Sequence, residues 1–363
     1  MKQPQIISYI HQLCRLGLGG QVIMPELVKA LHDLLPSQIN CFLYTDKKGQ
    51  LTNLYSERPS SFQSGVMSQY KSSLVRCLTC PLHKIHCAGF PEVKLFPAVW
   101  KPFNHHFLLN TPIIGSEGVL GSMQLYRCAQ QDQAFTLAEQ YQLKLLSADI
   151  ALGVQGNRNQ RGSFVENGDR AMVVCDRGGK VLSMSRLAEE LLFLASHASV
   201  TPDEWQFCSY DQQTAALIGK LCQKLTHGNS LRETAKLPPS VLQNNWGKFS
   251  IQVFYLEPYN SKRQPLIGIS LERQVPLALR LAEAIHALPL SSRQKQVCQL
   301  LTYGCSNQEI AARLQLSPYT IADHVKAIYE KLEVHHREGL LDKLKAYTRI
   351  EPVILNVSPI ERV

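Results

Sequence analysis

Apolar positions recur along this chain at two periods, and the switches between them divide it into three blocks. The N-terminal segment MKQPQIISYIHQLCRLGLGG sets polar residues inside an apolar pattern, which predicts an amphipathic helix. A second helix is predicted over residues 24–35, with Leu27, Val28, Leu31, Leu34 and Leu35 as its apolar positions. Residues 41–44 (CFLY) predict a strand, 46–50 a turn and 51–55 a return strand. Further on, 107–110 (FLLN), 112–114 and 119–126 (VLGSMQLY) read as strands, the last with Met123 and Leu125 alternating. A long helix over 135–152 carries Leu137, Tyr141, Leu145 and Ile150 among its apolar positions. Residues 153–168 (GVQGNRNQRGSFVENG) are polar and rich in Gly and Asn, the composition of a linker.

The second block repeats a mixed pattern. Residues 171–175 (AMVVC) form an apolar strand, Asp176-Arg177-Gly178-Gly179-Lys180 a turn, and 181–184 the return strand. A helix over 185–194 carries Leu187, Leu191, Leu192 and Leu194, and another covers 215–225. Strands at 249–256 (FSIQVFYL) and 265–271 (PLIGISL) flank a turn at 257–264. Residues 276–288 predict a helix with Leu277, Leu281, Ile285 and Leu288 apolar, stopped by Pro289.

The third block carries four short helices. Ser291 with Gln294, and Ser306 with Glu309, have the spacing of capping boxes. Gly304 supplies a stop between them, and Ser317-Pro318 opens a third helix as N-cap and first-turn proline. Ile321, Val325, Ile328 and Leu332 form its buried stripe, and a fourth helix from Arg337 carries Leu340, Leu341 and Leu344. The turn at Leu316 and Ser317 joins two of these helices, as in a helix-turn-helix. With the stripe inward, Tyr319, Ala322, Asp323, Lys326 and Ala327 face outward, where a helix can enter a major groove. The same pattern suits a small helical bundle that only packs on its neighbours.

Residues then decide between these readings through a resemblance. Leu290, Arg293, Val297, Leu300, Gly304, Ser306, Asn307, Glu309, Ile310, Ala311, Leu314, Ser317, Thr320, Ile321, His324, Val325, Ile328, Tyr329, Lys331, Leu332, Val334 and Arg337 stand at the spacing of the LuxR-type (GerE, or NarL/FixJ-like) DNA-binding domain of bacterial transcription regulators, which the segment resembles. The resemblance implies a four-helix domain whose third helix reads DNA and whose fourth commonly dimerises. On it, Tyr319, Thr320, Asp323 and Lys326 are placed to approach bases, and Lys326 and Lys331 to contact phosphates. Ser306, Asn307, Ser317, Ala322 and His324 complete the implied set, His324 with an equal claim to a packing role. The chain departs from the pattern at Gln294, where Glu is usual, at Ala322, where Lys is frequent, and at Glu333, where Gly is frequent. Ala322 removes a phosphate or base contact that Lys326, one turn on, replaces. From Leu290 to Ile350 there are nine Lys and Arg against six Asp and Glu, a surplus that suits a domain acting in pairs.

Two weaker resemblances concern the earlier blocks. The strand with Gly121 and Met123, followed by Phe135-Thr136 and a long helix, looks like the end of a GAF domain. The hairpin with a DxxG turn leading to SRLAEELL, with Ser185 where Asn is common, looks like a PAS domain. The expected fold is therefore multidomain: two α+β sensor-type domains, GAF-like (1–154) and PAS-like (169–274), separated by a linker at 155–168. A connector helix (275–288), an all-α four-helix LuxR-type helix-turn-helix domain (286–350) and a tail (351–363) with the segment PVILNV follow.

Composition refines this picture. The 363 residues hold ample material for several cores, and the net charge of +9 agrees with a polyanionic partner. No apolar run approaches the ~20 residues of a membrane span. The N-terminus has no clean cleavage site, so it reads as a helix and not a signal peptide. Eleven scattered cysteines suit reduced thiols in a cytoplasm better than a disulfide framework. One cluster, RCLTCPLHKIHC, places Cys77, Cys80, His83, His86 and Cys87 within a short span. Its Cys-x2-Cys is a chelating bite, but the usual distant second pair is missing, so metal or redox sensing competes with a loop of ordinary thiols. Phosphate loops, HExxH, GxSxG and kinase signatures are not found, which disfavours catalysis; no cofactor is indicated.

The expectation is a cytoplasmic, non-enzymatic regulator that binds double-stranded DNA as a homodimer, contacts RNA polymerase and responds to a small-molecule signal, with no membrane partner. The signal would act on how the connector and the fourth helix pair two chains. The alternative is a signalling scaffold, or a thiol or metal redox sensor, that keeps the helix-turn-helix fold without binding DNA.

Overall fold

The structure, a computed structural model, describes residues 3–46, 51–57, 107–127, 133–156, 164–199, 210–227, 239–257 and 265–348. The Cys77–Cys87 cluster, the Asp46–Gln50 turn beyond Asp46, and the tail lie outside these residues.

Two helices open the chain, α1 (Gln3–Cys14) and α2 (Gly20–Leu34). The second starts four residues before the expected position. Gly20 is required there because an added Cβ would stand 2.9 Å from the Cα of Val154. Four strands follow: β1 (Ile39–Thr45), β2 (Leu51–Ser56), β3 (Phe107–Gly115) and β4 (Gly118–Arg127). They pair antiparallel in the order β2-β1-β4-β3. The segments expected as separate strands at 107–110 and 112–114 are one strand through Pro112, which an edge position tolerates because no ladder donor is needed on its free side.

The long helix α3 (Leu137–Val154) begins at a full capping box of Thr136 and Glu139. Arg127, whose guanidinium stands 3.9 Å from the Phe135 ring centroid, pairs with Glu139 at 2.7 Å and fixes this start to β4. Of the apolar positions read on α3, Ile150 is buried and Leu137, Tyr141 and Leu145 are exposed. Leu143, Leu146, Ala151 and Gly153 face the core with Ile150.

The second sheet contains β5 (Phe164–Cys175), β6 (Val181–Met184), β7 (Ser240–Asn244), β8 (Gly247–Leu256) and β9 (Leu266–Pro276), antiparallel in the order β6-β5-β9-β8-β7. Strand β5 starts inside the segment read as linker, because Phe164, Val165 and Glu166 pair with Pro276, Val275 and Gln274. The Asp176–Lys180 turn forms as expected, with Asp176 Oδ1 accepting from the Lys180 amide at 2.9 Å. Ser185 closes the β5–β6 hairpin by accepting from the Met172 amide at 3.1 Å, then leads into α4 (Arg186–Ser196). Helix α5 is Tyr210–His227. Strand β7 has no counterpart among the expected elements; it reaches β8 through the two-residue turn Asn245-Trp246, since Asn244 pairs with Gly247.

That turn joins the two sheets. Trp246 is fully buried, donates to the His197 carbonyl at 2.7 Å, and stands 6.0 Å from the rings of both Tyr44 and Tyr55. Arg273, also buried, donates to the carbonyls of Trp246 and Val22. Tyr55 donates to Glu190 at 3.0 Å, and Asn53 to the Ala198 carbonyl at 3.2 Å. Both sheets and their helices therefore share one contiguous apolar core.

Helix α6 (Leu277–Ala287) follows β9 directly and faces two ways. Leu279 and Ala282 join the sheet-bearing core. Leu281, Ala284, Ile285 and Leu288 join the core of the C-terminal helices α7 (Ser292–Thr302), α8 (Asn307–Leu314), α9 (Pro318–Lys331) and α10 (Arg337–Thr348). The architecture is an α+β, sheet-rich N-terminal region followed by an all-α C-terminal domain. Among the described residues, no helix is long and apolar enough to cross a membrane.

Candidate nucleic-acid interface

The C-terminal domain is built by local rules. Ser291 and Gln294 close a capping box on α7, and Ser306 and Glu309 close one on α8. Glu309 is held below the usual carboxylate range by the Ser306 amide and hydroxyl. Helix α9 starts at Ser317, whose hydroxyl accepts from the Thr320 amide at 3.0 Å, with Pro318 in the first turn. Between α8 and α9 the chain reverses at Gln315, left-handed at φ 55, and the Leu316 amide returns to the Ala311 carbonyl at 3.0 Å. This is a helix-turn-helix with its turn at the expected residues.

Ile321, Ile328 and Leu332 are buried, and Val325 half-buried, so the expected inward stripe forms. Tyr319, Ala322, Asp323 and Lys326 point outward, with Tyr319 77% exposed; Ala327 is half-buried, a correction to the expected face. Asn307, on the first turn of α8, lines one groove with Ala322 and Lys326, so the two helices present a common surface. Ser306, Asn307 and Ser317 are all exposed at helix starts. Their surroundings divide them: Ser306 and Ser317 serve as caps, and the Thr320 hydroxyl is 2.8 Å from that of Ser317. His324 is half-buried.

Two lysines behave differently. Lys326 stays outward, 4.0 Å from Glu330 in an exposed i,i+4 pair of small worth. Lys331 is drawn back: its ammonium donates to Gln294 Oε1 at 3.0 Å, the atom that also accepts from the Ser291 amide. Lys331 therefore ties α9 to α7 with one of its three donors while the residue stays exposed. Glu330 lies outside the expected site set, although its spacing from Lys326 is a readable signal.

The remaining matched residues hold the frame. Arg337 donates to the Leu301 and Cys305 carbonyls, each at 2.8 Å, and so ties the start of α10 to the C-terminal end of α7 and the turn after it. Glu333 is left-handed at φ 52, with the Val334 amide returning to Tyr329 O at 3.0 Å, which is the backbone state that favours glycine. Leu340 and Leu344 of α10 are buried in the core that α6 shares. Leu341 of the same helix is half-buried and Tyr347 is exposed.

The family model of bacterial regulatory proteins, luxR family (GerE), matches residues 288–344. The C-terminal domain belongs to the LuxR family. That match covers the helix-turn-helix, the capping residues and Arg337, and it gives the chain a DNA-binding regulator's domain. Three solved structures also align with parts of the chain. VqmA bound to DPO shows 14% identity over 50% of this chain and 85% of that one, with a TM-score of 0.19. The phage VqmA–DPO complex shows 19% identity over 53% and 89%, with a TM-score of 0.19. A Vibrio cholerae VqmA dimer described in the absence of target DNA shows 15% identity over 58% and 88%, with a TM-score of 0.18. At these scores no property of VqmA is carried to this chain.

Proposed function

We propose that this chain is a transcription regulator that binds duplex DNA as a homodimer through α9, under the control of its N-terminal region. The observation that carries this is the capped α8–turn–α9 unit, which presents Asn307, Tyr319, Ala322, Asp323 and Lys326 on one exposed surface within a LuxR-family domain. Lys326 supplies a phosphate contact, and Tyr319 and Asp323 approach base edges, Asp323 as an acceptor for a cytosine amino group. A single domain has few outward cations on this face, so useful affinity requires two domains on half-sites one helical turn apart.

Control runs through α6. Because that helix contributes side chains to both cores, repacking the sheet-bearing core moves the helix on which α10 rests. We read the two sheets as GAF-like and PAS-like modules that receive a small-molecule signal, with contact to RNA polymerase completing the output in a cytoplasmic protein. This reading assigns no catalytic role. A scaffold that keeps the fold without DNA is the second reading, favoured by Asp323 and by the Lys326–Glu330 pair, which dilute the positive face. A gel shift on the DNA upstream of the protein's own coding region separates them. The regulator retains its site against a large excess of unrelated duplex; equal competition by that duplex, or no shift, establishes the scaffold.

A further inference from the structure

Helix α3 is apolar on two opposite faces. One packs on the core through Leu143, Leu146 and Ile150. On the other, Leu137 is 81% exposed, Tyr141 63%, Leu145 59% and Leu152 51%. A surface helix normally turns polar residues to water, so a second apolar face calls for a partner. Ala138, Tyr141, Leu145, Ala148 and Leu152, all exposed, are spaced alternately by three and four residues, the a/d repeat of a coiled-coil seam. In that frame the core-facing Leu143 and Ile150 are f positions and Leu146 is b, on the side away from the seam. The other large exposed apolar side chains among the described residues lie singly or at the β5–β6 edge, as Met172, Leu182 and Met184 do.

We infer that this outward face of α3 is the seam of a parallel homodimer. A second copy fits for two reasons. The a/d repeat is self-complementary, and a two-fold axis between parallel helices places each a and d side chain against its own counterpart. The flanking charges match in the same register. Lys144 is a g position and Asp149 the following e position, the pair that meets across a parallel seam. Asp149, 17% exposed, already pairs on its own chain with His11 at 2.9 Å and Arg15 at 3.9 Å, so the partner's lysine would add to an existing cluster. On α10, Leu340 and Leu344 are buried against this chain, which leaves the half-buried Leu341 and the exposed Tyr347, a smaller apolar face than that of α3.

A seam of two heptads is small beside the roughly 1,200–2,000 Å2 that stable complexes bury. The dimer is therefore concentration-dependent, and gripping two half-sites at once supplies the rest of its stability on DNA. The inference deepens the proposed function by naming the partner and the contact, but it is tested without DNA, so the two can fail separately.

The test is sedimentation of the full chain over a range of concentrations, with Leu145→Glu as the variant. Leu145 is exposed, so the variant keeps its circular dichroism and melting temperature while its dimer dissociation constant rises by about 30-fold or more. An Ala148→Cys chain treated with a short bismaleimide yields a covalent dimer whose linked peptides join residue 148 to residue 148. A wild-type chain that stays monomeric throughout, or a dimer that Leu145→Glu leaves intact, overturns the inference. So does a link from residue 148 to another segment of the same chain, which would make that segment the occupant. In a chain carrying both Ala138→Cys and Leu152→Cys, a dimer linked from residue 138 to residue 152 would overturn the parallel seam in favour of an antiparallel one.

Discussion

The two cores of this molecule are held together in opposite ways. In the C-terminal domain the caps that set the helices are local, Ser291 with Gln294, Ser306 with Glu309 and Ser317 with Thr320, and its longer ties, Lys331 to Gln294 and Arg337 to Leu301, span only 37 and 36 residues. In the N-terminal region the decisive contacts are remote: Asn53 reaches Ala198 across 145 residues, Tyr55 reaches Glu190 across 135, and Arg273 reaches Val22 across 251. The first kind of structure is specified piecewise and presents a fixed surface. The second is specified only as a whole, so a change at one place is felt throughout. That division suits a reader attached to a responsive body, and α6 belongs to both.

The comparison can be broken at the N-terminal core with the largest effect. Trp246→Ala empties the site shared by the two sheets and should cost about 3–5 kcal/mol, the range for deleting a buried large aromatic. Followed by calorimetry, it should lower the transition of the sheet-bearing core and leave that of the C-terminal helices nearly in place. A common shift of both would mean that α6 fuses them into one cooperative unit. Next in size is Arg337→Ala, which leaves the Leu301 and Cys305 carbonyls without their charged donor and should cost about 2–3 kcal/mol in the C-terminal transition alone. Arg337→Lys should restore little of it, because the two carbonyls are met by a planar fork. The smallest is a gain. Glu333→Gly relieves a left-handed residue and should raise the C-terminal transition by about 1 kcal/mol, read as a higher melting temperature.

The same contrast explains what can be read from the residues alone. The helix-turn-helix is legible because its caps, turn and inward stripe are each written within a few adjacent positions. The tie of Lys331 to Gln294 is not legible because the two lie 37 residues apart. In α3 both faces are apolar, Leu137, Tyr141 and Leu145 on one and Leu143, Leu146 and Ile150 on the other, so periodicity does not say which turns inward. Strand β7 (SVLQN) is polar enough to read as a loop and exists because β8 offers it a ladder. Likewise, the Gly- and Asn-rich run before Arg170 has a linker's composition, yet β9 recruits Phe164–Glu166 into the sheet. On α9 the outward orientation of Tyr319, Ala322, Asp323 and Lys326 follows from the stripe, but cap chemistry claims the hydroxyls of Ser317 and Thr320, a competition that composition does not reveal.

The most direct test of α9 as the DNA-reading helix is the salt dependence of DNA affinity for wild type and Lys326→Ala. Removing one phosphate-neutralising cation per domain should weaken binding to specific and unrelated duplexes alike. It should also flatten the slope of log K against log salt by about 0.9 for each phosphate left unneutralised, so by nearly 2 for a dimer. Unchanged affinity with an unchanged slope would show that the outward face of α9 does not meet the DNA backbone.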